Sequence, residues 1–151
     1  MRRLLIALVA CVALLPIVGY VVARSRSTQR LTPEARRALA APLDVLQQQA
    51  RALDGAQPDL TRVCSLNSAR LRTRVPCDIY ASVLRDRLAG FVGATLDVTS
   101  MSGDPRRDRL VLLGVAGSGP HGSAEFSVRM IYEDTAWRVA DVLRYGRSML
   151  P

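Results

Sequence analysis

The sequence predicts an α+β fold, with helices packed on one face of a four-stranded antiparallel meander sheet and an N-terminal membrane helix ahead of them. Three observations predict it. Leu4 to Val22 is an uncharged apolar run, and from Thr32 to Leu88 apolar residues recur at helical steps of three and four. From Phe91 onward the period changes to the two-residue alternation of strands.

As a helix, the nineteen residues from Leu4 to Val22 would be about 28 Å long, close to the thickness of a hydrocarbon core. A cleaved signal peptide has a shorter apolar region of roughly 7 to 15 residues, although Val21-Val22-Ala23 offers small residues for cleavage. Residues 1–23 are therefore expected to be an uncleaved signal-anchor, the alternative being a signal peptide whose removal releases the domain. Leu8-Val9-Ala10-Cys11 resembles a lipobox, but another apolar run follows Cys11 where a lipoprotein has a polar tether.

Residues 24–31 form a basic juxtamembrane linker, and Arg24, Arg26, Arg30, Arg36 and Arg37 all follow the apolar run closely. That count favours a cytoplasmic domain by the positive-inside rule. Against it stand Met1-Arg2-Arg3, the ordinary n-region of an export signal, and the cysteine pair considered next. The expected address is the bacterial inner membrane, single-pass, with the domain in the periplasm. The alternative is secretion to the periplasm after cleavage.

Cys64 and Cys77 are the cysteines outside the apolar segment, and their spacing matches neither Cys-x-x-Cys nor a zinc-ligand motif. An even pair in an exported chain reads as a disulfide, worth about 3 kcal/mol in the chain-entropy model. Two independently buried thiols are the alternative.

Within a single domain over 32–146, Thr32-Pro33-Glu34 carries the marks of a helix start: a Thr cap, a Pro at the first position and an acid in the first turn. Leu39, Leu43, Leu46, Ala50 and Leu53 make one apolar stripe, which Pro42 should kink or divide and Asp54-Gly55 should end. Leu60, Val63 and Leu66 suggest a short helix. The following stretch, with Arg70, Arg72 and Arg74 alternating with Leu71, Thr73 and Val75, has no settled period. Ile79, Tyr80, Val83, Leu84 and Leu88 form another helical face, closed by Gly90.

Four strands should follow. In the first, Leu96 and Val98 face one side and Thr95, Asp97 and Thr99 the other; Gly103-Asp104-Pro105 then turns the chain. Arg109 to Ala116 is apolar on both faces, which predicts a central strand. In Ala124 to Tyr132, Phe126, Val128, Met130 and Tyr132 alternate with polar residues, and Glu133-Asp134-Thr135 is a tight hairpin turn. Trp137, Val139, Leu143 and Tyr145 continue the last strand with Asp141 in phase, and 147–151 is left as a tail.

Composition excludes several chemistries. All 21 basic residues are Arg, so neither a Schiff-base lysine nor a Walker-type phosphate loop can form. His121 is the one histidine, which rules out a multi-histidine zinc site. The net charge of +8 favours anionic partners, with membrane phospholipid the nearest. No RNA-binding signature or helix-turn-helix spacing appears, so no nucleic-acid partner is expected. No metal or cofactor is called for.

Helices first, then a meander closing with Met130-Ile131-Tyr132-Glu133-Asp134-Thr135-Ala136-Trp137-Arg138-Val139, resembles the nuclear transport factor 2-like superfamily, also called the cystatin-like or ketosteroid isomerase-type cone. The resemblance spans roughly Thr32 to Tyr145. Ala136 stands where such hairpins commonly have glycine. The superfamily hosts isomerases, dehydratases, ligand binders and scaffolds, so the resemblance implies a fold and a pocket but no particular activity.

In a cone, Asp141 would project into the pocket among Trp137, Tyr132 and Tyr145, where desolvation would raise its pKa and fit it for proton transfer. The simpler reading places Asp141 at a bulge or beside an arginine. His121 lies in Gly117-Ser118-Gly119-Pro120-His121-Gly122-Ser123, whose glycines suit positive-φ turn positions better than phosphate binding. Tyr80 is a further aromatic that could line a pocket or simply fill the core. No catalytic residue is assigned. The expected function is a membrane-anchored extracytoplasmic domain, held to the inner membrane through Leu4 to Val22. It would bind another envelope protein or a small apolar ligand without catalysis. The alternatives are an assembly scaffold of a secretion or envelope complex, and an isomerase or lyase using the Asp141 carboxylate.

Overall fold

Capping chemistry sets where the helices begin. The computed structural model describes residues 31–151. The apolar segment and the linker up to Arg30 lie outside the described residues, with every expectation placed on them. Helix α1 (Pro33–Ala38) starts as its sequence predicts: the Thr32 hydroxyl accepts from the Ala35 amide at 3.2 Å and Pro33 takes the first helical position. Helix α2 (Ala40–Ala52) follows after a break at Leu39. The division falls ahead of Pro42 because a proline ring crowds the carbonyl four residues back, here that of Ala38. The expected stripe is the core face: Leu39, Leu46, Ala50 and Leu53 are buried and Leu43 packs against them.

Helix α3 (Leu60–Ser65) is capped by Asp59, and helix α4 (Ala69–Arg74) by Ser68, whose hydroxyl accepts from the Leu71 amide at 3.1 Å. The stretch without a settled period is thus helical, with Leu71 and Val75 both buried. Helix α5 (Cys77–Arg87) buries Tyr80, Ala81 and Leu84, continued by Leu88. Ile79, expected on that face, is 44% exposed. It sits roughly 100° round the helix from Tyr80, on the side away from Ala81. Cys64 and Cys77 are joined as a disulfide, with Cα atoms 5.6 Å apart, tying α3 to the first turn of α5 and enclosing α4 in the loop.

A single 3₁₀ turn, Ala89–Phe91, carries the chain into the sheet. Gly90 lies inside that turn and does not end α5. A Cβ on Gly90 would stand 2.6 Å from the Ser123 carbonyl oxygen, so only glycine lets the turn lie on the strand below it.

The sheet is an antiparallel meander of five strands in chain order: β1 (Thr95–Ser102), β2 (Leu110–Gly119), β3 (Gly122–Glu133), β4 (Ala136–Arg144) and β5 (Arg147–Ser148). The expected four strands are present and a fifth extends them. The segment 147–151 is not a loose tail: Arg147 pairs with Arg144, Ser148 with Leu143, and Met149 and Leu150 enter the core. Asp134 and Thr135, at φ 50° and 62°, form the two-residue turn between β3 and β4, the positive-φ geometry that matches strand twist.

Leu96, Val98, Val111, Leu113, Val115, Phe126, Val128, Met130, Val139 and Val142 point inward and share one core with the helices. β2 lies between β1 and β3, yet its second apolar row is open, with Leu110 52% and Leu112 38% exposed. The free edge of β4 is covered by the chain before α4: Ser68 N donates to Val139 O at 2.8 Å and Val139 N to Leu66 O at 3.0 Å. Among the described residues, no helix is long and apolar enough to cross a membrane.

Candidate functional site

A β-bulge decides where Asp141 goes. β3 and β4 pair Met130 with Val139, then Arg129 with Asp141, which leaves Ala140 without a partner. The extra residue breaks the alternation that had placed Asp141 in phase with Trp137 and Val139. Beyond the bulge, Val142 takes the inward position opposite Val128, while Asp141 stands opposite Arg129.

Asp141 is only 5% exposed and its charge is anchored from several elements. Its Oδ1 accepts from the Val142 amide at 3.0 Å, the Ser148 hydroxyl at 2.8 Å and the Arg74 guanidinium at 3.4 Å. Arg129 lies 3.9 Å from Oδ2. This carboxylate fastens β5 and α4 to the bulge of β4. A general base needs an unengaged oxygen in reach of substrate, and among the described residues only Oδ2 is without a hydrogen bond.

Beside it runs a cleft of about 190 Å³ between α4 and the outer side of the sheet. Ser68, Arg70, Leu71 and Arg74 form the helix wall; Leu110, Arg129, Ile131, Glu133 and Ala140 form the sheet wall. Glu133 Oε1 accepts from the Ala69 amide at 2.7 Å, placing a negative charge where the first turn of α4 presents free N–H groups.

The other three residues expected around Asp141 lie elsewhere. Tyr132 meets Trp137 edge-on with ring centroids 5.5 Å apart, the tryptophan buried and the tyrosine partly open. Tyr145 is 92% exposed at the β4–β5 turn, with the Arg144 guanidinium 5.5 Å over its ring. The arginines and Glu133 were not singled out in the sequence. The one local trace of them is the alternation of Arg70, Arg72 and Arg74.

Tyr80 is fully buried and belongs to a polar chain inside the core. Its hydroxyl donates to Gln49 Oε1 at 2.9 Å, and Gln49 Nε2 donates to Asn67 Oδ1 at 2.7 Å. Burial pushes the Tyr80 phenol well above the usual tyrosine range, and nearby Asp141 adds to the rise. Asn67 Nδ2 is buried without a hydrogen-bond partner among the described residues.

His121 sits at the two-residue turn between β2 and β3, its Nε2 3.7 Å from Asp54 Oδ1. Of the three glycines in that run only Gly122 has a positive φ; Gly117 and Gly119 lie in β2, where a Cβ would strike the Gly90 carbonyl oxygen or Ala94. A second cleft of about 290 Å³ is lined by Asp54, Gly55, Arg85, Ala89, Val92 and His121. None of these offers the hydroxyl or thiol that a His-Asp pair would activate. Among the described residues no group of three or more His, Cys, Asp and Glu side chains could hold a metal.

Set against known protein families, curated proteins and solved structures, the chain matches none of them.

Proposed function

We propose that the chain is a membrane-anchored extracytoplasmic domain of the cone type that serves protein interaction and catalyses nothing. The cysteine pair carries the compartment: two elements, α3 and α5, are placed so that the domain's two cysteines bridge, an arrangement that persists where thiols are oxidised. Helices followed by an antiparallel meander are the element order on which the resemblance to the cone rests.

Three features favour interaction over the other uses. The space between helices and sheet, where a cone would hold an apolar ligand, is filled by Leu46, Leu71, Tyr80, Leu84, Leu113 and Met130, all essentially inaccessible. Asp141, the carboxylate an isomerase or lyase would use, has its Oδ1 taken up in holding β4, β5 and α4 together and its Oδ2 beside Arg129. The open row of Leu110 and Leu112 on the far side of the sheet gives a partner apolar surface to cover, which also suits an assembly scaffold.

The test is a topology reporter combined with thiol labelling. Alkaline phosphatase fused after Pro151 should be active, and Cys64 and Cys77 should resist maleimide until reduced. A reporter active only when cytosolic, with both thiols reactive at once, overturns the proposal.

A further inference from the structure

The cleft beside Asp141 has a chemistry of its own. Three arginines, Arg70, Arg74 and Arg129, face two carboxylates, Glu133 and Asp141, leaving one positive charge in excess. Arg74 and Arg129 flank Asp141, and Glu133 is bonded to the Ala69 amide. Arg70 makes no hydrogen bond or ion pair among the described residues, so its guanidinium is free to meet an anion. The remaining wall is Ser68, whose hydroxyl caps α4, and the aliphatic Leu71, Ile131, Ala140 and half-exposed Leu110.

From this geometry we infer that the cleft binds a single carboxylate attached to an aliphatic group, the carboxylate on Arg70 and the aliphatic part against Leu110 and Ile131. Charge and size both select this class. A phosphate monoester or other dianion would bring a second negative charge toward the carboxylates of Asp141 and Glu133, which repel it. A neutral apolar group would bury the Arg70 guanidinium without a partner. At about 190 Å³ the cleft is smaller than the roughly 300 to 1,000 Å³ of small-molecule sites, so it takes one side chain or chain end and not a whole cofactor. A polypeptide C-terminus ending in an aliphatic residue and a free aliphatic acid share this chemistry. The first would make the cleft the recognition point of the proposed protein partner, and in that respect the inference rests on the interaction reading.

The full chain, reconstituted in phosphatidylcholine nanodiscs, is titrated with a dansyl-labelled pentapeptide ending in Val-Leu with a free carboxylate, with the same peptide amidated, and with octanoate as competitor. The free acid should bind saturably and the amide about tenfold more weakly or worse, as expected for a lost charge-assisted hydrogen bond. Arg70→Gln should weaken the free acid by a similar factor and leave the amide unchanged; Leu110→Ser should weaken both. Displacement by octanoate assigns the cleft to free acids; no displacement assigns it to peptide ends. Absence of saturable binding of either probe at millimolar concentration, or wild-type affinity in Arg70→Gln, overturns the inference. Arg70 is exposed and outside the core, so its replacement leaves the fold intact. Because binding is measured on purified protein, a failed titration does not bear on where the topology reporter is active, and a cytosolic reporter leaves the titration standing.

Discussion

The two sides of the sheet are built from the same strands and solve opposite problems. Leu113 and Leu112 are neighbours in β2: one is wholly buried against the helices and the other is 38% exposed on the open side. Through the middle of the sheet inward positions carry Val, Leu, Phe and Met, whereas outward ones mix Leu110, Leu112 and Ile131 with Arg129, Glu125 and Ser127. The inner side is fixed by packing. The outer side is less densely packed, and away from the Asp141 anchor it costs the fold less to alter.

Replacing the two leucines tests that contrast most severely. Leu113→Ala should lower the unfolding free energy by about 2–5 kcal/mol, the range for a buried leucine truncation, while Leu112→Ala should cost about 0.5 kcal/mol or less. Urea denaturation reads both, and equal losses would erase the distinction between the two sides. Removing the disulfide by Cys64→Ser with Cys77→Ser should cost about 3 kcal/mol, since the bridge closes a short loop in the unfolded chain. That loss falls on the helical layer covering the inner side, so the melting temperature should drop while binding to the outer side is retained below the melt. Asp141→Asn keeps the shape but removes the charge shared with Arg74 and Arg129, and should cost about 1–2 kcal/mol. Loosened amide exchange in β5 would mark the effect as loss of an anchor. Thr135→Gly belongs to neither side. A β-branched residue at φ 62° is strained, and glycine there should raise stability by about 0.5–1 kcal/mol, seen as a higher urea midpoint.

How much of this was legible in the sequence depends on length and register. α1, α2 and α5 announce themselves through a Thr-Pro-Glu start and apolar stripes of several turns. α4 does not, because a spacing of four between Leu71 and Val75 satisfies both a strand's alternation and one helical turn. Six residues are too few to break the tie. The inward rows were legible as far as Val139, but the open outer row of β2 was not, since apolar residues on both faces read as burial on both. A bulge or an arginine beside Asp141 is the simpler reading of the sequence and both are present, but only the partner strand reveals that Ala140 is the extra residue. β5 spans two residues, below any period. Asp141 stood out as a polar residue in an apolar row. Its partner Arg74 is 67 positions away and comes into reach only once the β4 edge is covered, and Arg129 only once the hairpin is registered.

The cystine has a consequence for how this molecule wears. A protease that cuts at Arg70, Arg72 or Arg74 severs the backbone between Cys64 and Cys77 but leaves two fragments held by sulfur. Such a nicked protein would migrate as one band until thiol is added, and would fall into two afterwards. Damage to this segment can therefore accumulate without the chain coming apart.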